Sequence, residues 1–312
     1  MVSTASGRQE PAYRLSRPIA SRYSSGSTEQ NRLIIRSACM TTEQLSPLRR
    51  HAVAIFFGLT FAVSWIAALL VSAPSLLRHE PLPRMTGLLM FPAMLLGPSL
   101  ASLFLTGLLE GRRGLRELLR SLQPARIGVR WLAALLIPPV MILVVLLALD
   151  RLGSSAYGPN LFLPGFLFGV PAGLIEEIGW TGFAFPRMAA QRPALQASVG
   201  LGLLWSCWHL PVVNFLGAAA PHGNWWPAFF AAFALAMTAM RVLIGWLYTN
   251  TRSLLLAQLM HVVSTGSLVA FSASRASAAQ EALWYAVYGA LLWVAVFVLV
   301  RLFGSSLRGA SA

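Results

Sequence analysis

The sequence predicts an all-α, polytopic transmembrane helical bundle of about eight spans, and three observations lead there. Only 11% of the 312 residues are charged while 56% are hydrophobic, whereas a soluble domain carries about 25% charged residues. Mean hydropathy is +0.66. The apolar residues are also gathered into stretches close to the roughly 20 residues a helix needs to cross a bilayer, with short arginine-bearing loops between them. A soluble fold of this size could not solvate its surface with so few charges.

Residues 1–48 are polar, rich in Ser, Thr and Arg, and lack apolar periodicity. They read as a disordered basic tail. No apolar core of a cleavable signal peptide follows Met1, and Met40 offers an alternative start. From His51 on, the expected spans are 52–73, 87–109, 131–149, 161–175 running into two glutamates, 197–216, 227–248, 253–271 and 282–303. Pro98, Pro138, Pro139 and Pro171 fall inside them, which a membrane bundle tolerates where neighbouring helices satisfy the freed carbonyls. The loop after the second span repeats Leu115, Leu118, Leu119 and Leu122 at helical spacing among arginines, the pattern of an amphipathic helix at the membrane surface.

The formal charge is +14 and all 24 basic residues are arginine. In a soluble chain this would point to nucleic acid. Here the arginines sit between spans, and the positive-inside effect accounts for them without a nucleic-acid partner. Arg49, Arg50, the group from Arg112 to Arg130, Arg187, Arg192, Arg252, Arg301 and Arg308 all fall on one side of an eight-span topology. The expectation is a multi-pass protein of the cell membrane, in contact with the lipid bilayer, with both termini cytoplasmic. Two cysteines, Cys39 in the tail and Cys207 in a span, form no disulfide framework.

Function is concentrated in the later spans. The first three hold no internal acid or histidine. Glu176 and Glu177, two of only 10 acidic residues, interrupt a strongly apolar run. An ionised group at membrane depth costs roughly 2.5–3.5 kcal/mol on insertion scales, so an intramembrane acid marks a functional site. Adjacent residues lie about 100° apart on a helix, so the two carboxylates face different neighbours. His209 lies one turn after Trp205 and just before a helix-breaking Leu-Pro. His261 lies one turn after Gln258 and one before Thr265. Arg241, also within a span, reads as snorkelling or as a structural ion-pair partner, and His222, in a Pro-His-Gly-Asn segment, as an exposed turn residue.

An acid pair and two histidines on three spans suit two chemistries. In one, a glutamate and a histidine activate water while the other histidine and a polar neighbour hold the oxyanion. In the other, Glu176, His209 and His261 bind Zn²⁺ with an open position for water. No His-Glu-x-x-His or Gly-x-Ser-x-Gly motif is present. A proton-coupled transporter would also place Glu and His in spans, but the sequence shows none of the internal repeats common in transporters.

These segments, in this order, resemble the CPBP family of intramembrane proteases, which includes CAAX prenyl endopeptidases of the Rce1 type and bacteriocin-processing proteins. The family's Glu-Glu-x-x-x-Arg motif appears as Glu176-Glu177-Ile178-Gly179-Trp180-Thr181, extending to Pro186-Arg187. Its aromatic-x-x-x-His appears as Trp205 to His209, and its His-x-x-x-Asn as His261 to Thr265. The resemblance implies an intramembrane endopeptidase with a core over 156–275, flanked by transmembrane helices over 49–155 and by a last helix and tail over 276–312. It implies that Glu176 and His209 activate the attacking water, that His261 and Thr265 hold the oxyanion, and that Glu177 supports them, with no cofactor; zinc is the alternative. The implied substrate is a membrane-associated peptide or protein, lipidated in one branch of the family. Two departures stand out: the motif Arg is Thr181 and the motif Asn is Thr265. Glu177 must therefore find a donor elsewhere or stay protonated. The alternative to a working protease is an impaired member acting as a scaffold or immunity factor.

Overall fold

The computed structural model describes residues 47–80, 82–123, 128–216 and 222–309. The expected tail, but for its last two positions, lies outside them. Every described regular element is helical. Helix α1 spans Ala52–Leu77 and α2 Arg84–Ser121. Then come α3 (Val129–Ala134), α4 (Ile137–Leu152), α5 (Phe166–Gly179) and α6 (Phe185–Ala189). Helix α7 is Ala194–Trp208 and α8 Leu210–Leu216. The last three are α9 (Trp226–Thr251), α10 (Leu254–Ala270) and α11 (Ala278–Phe303). These fill the eight expected segments.

Breaks fall where backbone chemistry puts them. Pro138 and Pro139 open α4 after a short interruption that follows α3, since proline fits the first helical turn and its missing N–H costs nothing there. Helix α7 ends at Trp208, before Pro211. Gly111, at φ 63°, breaks α2 into a spanning part and the arginine-rich stretch expected to be amphipathic. On that stretch Leu118 is buried while Leu119 is 57% exposed, so the apolar face is narrower than the leucine spacing suggests. The fourth span begins late: Leu161 takes a left-handed φ, a tight turn covers Leu163–Gly165, and α5 starts only at Phe166.

Five of the segments are long and apolar enough to cross a membrane: Ala52–Leu77, Leu89–Ser121, Val129–Leu152, Gly223–Thr251 and Ala278–Phe303. Leucines such as Leu70, Leu77, Leu152 and Leu302 stand more than two-thirds exposed on these outer helices, the surface of a membrane protein facing lipid. Helix α9 is central. From Ala236 to Leu247 every side chain on it is buried.

The three segments that carry Glu176 and Glu177, His209 and His261 are the short ones: 14 residues in α5, 15 in α7 and 17 in α10. Helices α5 and α10 approach backbone to backbone. A Cβ on Gly169 would lie 2.1 Å from the Val262 carbonyl oxygen, and one on Gly173 2.6 Å from that of Gln258. Close approach through small residues is how membrane helices gain packing when lipid supplies no hydrophobic drive.

Candidate active site

The turn bearing the glutamates is held by side chains from both neighbours. Ser99 of α2 donates to the Ile175 carbonyl, and Ser102 donates to that of Ile178 at 3.0 Å. Gln258 of α10 donates to that of Leu174 at 2.6 Å. Beyond Gly179 the helix widens into a π-turn over Trp180–Ala184. Pro186, just past it, would press on the carbonyl four residues back in a regular α-helix, and the wider turn accommodates it.

Glu177 is wholly buried and saturated. Arg241 of α9 grips it with both guanidinium nitrogens, Nη2 to Oε1 at 2.8 Å and Nη1 to Oε2 at 2.9 Å. His261 Nδ1 donates to Oε1 at 2.8 Å, and the Thr181 hydroxyl donates to Oε2. The departure at Thr181 is thus made good: the arginine absent from the same helix arrives from α9, and threonine leaves room for it. Arg241 is 1% exposed, so it pairs and does not snorkel. Its guanidinium carbon also lies 4.5 Å from the Trp205 ring centroid.

Glu176 faces another way, as adjacent residues on a helix must. Its Oε2 accepts from Trp180 Nε1 at 2.9 Å and from Trp205 Nε1 at 3.0 Å. Its Oε1 is buried without a partner among the described residues. Trp205 stands at the centre, with its ring 5.1 Å from both the His209 and His261 ring centroids. His209 Nδ1 donates to the Trp205 carbonyl at 2.7 Å, which fixes the tautomer and leaves the Nε2 lone pair open. Thr265, one turn beyond His261, is half-buried.

The structure therefore gathers Glu176, Glu177, His209 and His261 around one indole. Trp180 belongs to this constellation too, and its place four residues after Glu176 was a legible signal. Neither Trp205's bond to Glu176 nor Arg241's to Glu177 had one, since each crosses between helices. Trp205→Phe keeps the ring and removes one N–H from Glu176. A bond to a charged group contributes about 1.5–3 kcal/mol, so a turnover that depends on Glu176 is expected to slow roughly ten- to hundredfold, measured as kcat at a temperature where the variant, with a lowered melting point, is still folded.

Among the described residues no group of three or more His, Cys, Asp or Glu is arranged to hold a metal ion. The Nδ1 atoms of His209 and His261 and one oxygen of Glu176 are engaged by the protein; a histidine that ligates a metal through Nε2 has its Nδ1–H anchored in the same way.

His222 departs from expectation. It is 6% exposed, with Nε2 2.9 Å from Glu281 Oε2 and its ring stacked 3.7 Å from that of Phe229. A carboxylate from the first turn of α11 and an aromatic face from α9 enclose what reads in sequence as a turn. Cys207 is exposed and free.

Comparison with known proteins places this arrangement. Residues 158–267 match the family described as type II CAAX prenyl endopeptidase Rce1-like. That stretch is similar to the Rce1-like family. The matched stretch contains both glutamates, both histidines, Arg241 and Thr265. The chain is also similar to a CAAX prenyl protease 2 of Methanococcus maripaludis, 30% identical over 142 residues, covering 41% of this chain and 51% of the relative. The chain thus spans about half the length of the curated relative it matches.

Proposed function

We propose that this chain is an intramembrane endopeptidase that hydrolyses a peptide bond of a membrane-associated protein or peptide by direct attack of water. The observation that carries the reading is Glu176: a buried carboxylate oriented through one oxygen by two indole N–H groups, with the other oxygen unpartnered. Such an oxygen is placed to take a proton from water. The Nε2 lone pair of His209 serves as the second acceptor for that water in this reading. The hydroxide adds to the scissile carbonyl carbon, and the resulting oxyanion is held by His261 and the Thr265 hydroxyl. As the C–N bond breaks, the proton held by Glu176 passes to the leaving amine.

Glu177 acts at one remove. His261 Nδ1–H is committed to Glu177, so an Nε2–H donor for the oxyanion requires the ring to carry both protons. No metal takes part in this scheme.

Similarity to a CAAX prenyl protease directs the substrate reading to a C-terminally prenylated protein, with a site reached from the bilayer. The test is cleavage of prenylated and unprenylated CAAX peptides by the purified full chain in detergent, wild type beside Glu176→Ala, with and without chelator. Loss of a general base costs about 10²–10⁴ in rate, so Glu176→Ala should fall by that factor while chelator leaves the wild type unchanged. Normal cleavage by Glu176→Ala refutes the mechanism, and chelator sensitivity brings the zinc set back. Thr265 in the motif Asn position favours a second reading, an impaired member that serves as a scaffold. It predicts no turnover of any peptide class and a function that survives Glu176→Ala.

A further inference from the structure

Away from the buried cluster, a cleft of about 550 Å³ opens where the ends of α6, α7, α9 and α11 meet. Arg192, Arg252 and Arg308 line it, with Thr249 and Ser306 between them. Among the described residues none of these arginines pairs with a carboxylate. The neighbouring cleft, of about 360 Å³, differs in this respect. It contains Glu110, and Glu110 is bonded to Arg187.

The walls of the arginine cleft are built by the chain's folded-back end. Leu195 N–H donates to the Ser305 carbonyl at 3.0 Å. Asn250 clamps the same turn, donating to the Leu307 carbonyl at 2.7 Å and accepting from Gly309 N–H at 2.9 Å. Four non-glycine residues take a left-handed φ among the described residues, and two of them, Arg252 and Leu307, belong to this region. Leu307 is fully buried. A backbone held in an unfavourable region by surrounding structure is a pointer to function. Here it turns Arg252 toward the cleft at the end of the most buried helix.

We propose that this cleft binds the phosphate group of an anionic lipid. Guanidinium groups match phosphate oxygens with paired N–H donors, and the Thr249 hydroxyl can supply a further donor. The cleft lies at the ends of α9 and α11, which are long and apolar enough to cross a membrane, and basic pockets between such helices recognise anionic headgroups. A bound headgroup ties α7, α9 and α11 together at the end remote from the α8 side. Inorganic phosphate shares the recognised chemistry but lacks the acyl chains that keep a lipid beside the cleft.

The experiment uses the purified full chain in neutral detergent with a fluorescent short-chain phosphatidylglycerol as probe, and phosphatidylcholine or inorganic phosphate as competitor. Each arginine near a phosphate contributes about fivefold in affinity. The combined variant Arg192→Gln, Arg252→Gln, Arg308→Gln is expected to bind the probe roughly a hundredfold more weakly. The single variant Arg308→Gln, at an exposed site, should lose about fivefold with an unchanged melting profile. Phosphatidylcholine should not displace the probe, and phosphate should do so only at far higher concentration. The control Arg112→Gln, Arg113→Gln, Arg116→Gln removes as much charge elsewhere and should bind normally. Equal weakening by the control would reduce the effect to overall charge and overturn the proposal. Displacement by phosphate and lipid at the same concentration would overturn the lipid assignment in favour of a free anion, and equal binding of phosphatidylcholine would overturn both.

Discussion

Replacing Arg241 by leucine is expected to destabilise the protein by about 3–5 kcal/mol and to abolish any cleavage that depends on the cluster. Removing one partner of a buried ion pair leaves the other as an uncompensated buried charge. Arg241 gives Glu177 two of its four bonds, and with 1% exposure no water can take its place. The loss spreads further, because Trp205, under the guanidinium, also orients Glu176. Two second variants separate charge from packing. Arg241→Leu with Glu177→Gln removes both charges and should recover most of the stability, since apolar replacement of a whole buried pair is often neutral, without recovering activity. Arg241→Leu with Thr181→Arg restores an arginine one turn from Glu177 and should recover part of both. Denaturant unfolding in detergent, followed by tryptophan fluorescence, reads the stability. An Arg241→Leu protein that unfolds like wild type would show that Glu177 does not rely on the pair.

Gly169→Ala is expected to be the second most damaging change. Its Cβ would lie 2.1 Å from the Val262 carbonyl oxygen and 2.7 Å from the Gly266 nitrogen. Both obstacles are backbone, so the clash can be relieved only by moving α5 away from α10. Overpacking of this kind costs typically about 1–3 kcal/mol, and here the displaced helices carry Glu177 on one side and His261 on the other. The 2.8 Å bond between them is expected to break, so activity should fall further than stability. Gly58→Ala is the matched control. Nothing lies within 4 Å of a Cβ there, and alanine is the better helix former by about 0.8–1.0 kcal/mol, so that variant should melt no lower than wild type. Equal melting of the two variants would remove the close α5–α10 approach from the account.

The fold was legible because membrane spans are written in composition and length. The eight apolar segments, the end of α7 before Pro211 and the restart at Pro138 all follow from local chemistry. Glu176, Glu177, His209 and His261 were legible for a different reason: ionisable groups in apolar runs stand out on solvation grounds alone. What could not be read were contacts between segments. Arg241 shows two local features, a charge and an apolar context, and neither says that it reaches Glu177 across 64 positions. Trp205 was visible as a helical neighbour of His209, but its indole N–H points to another helix. His222 misled because Pro, Gly and Asn around it are turn residues, while the Glu281 carboxylate and the Phe229 ring that enclose it lie elsewhere in the chain.

The origin of Glu177's arginine bears on biosynthesis. A chain that keeps its arginine four residues after the second glutamate can neutralise that carboxylate within a single helical turn, as soon as the turn forms. In this chain α5 leaves the ribosome with two carboxylates and only the Thr181 hydroxyl at that position. Its cation is still to be synthesised, in the middle of α9. A 14-residue helix bearing two acids, each disfavoured by roughly 2.5–3.5 kcal/mol at membrane depth if ionised, has little tendency to settle in the bilayer alone. Its stable integration is therefore expected to depend on the later arrival of α9, since the pair of Glu177 with Arg241 can close only once α9 has been made.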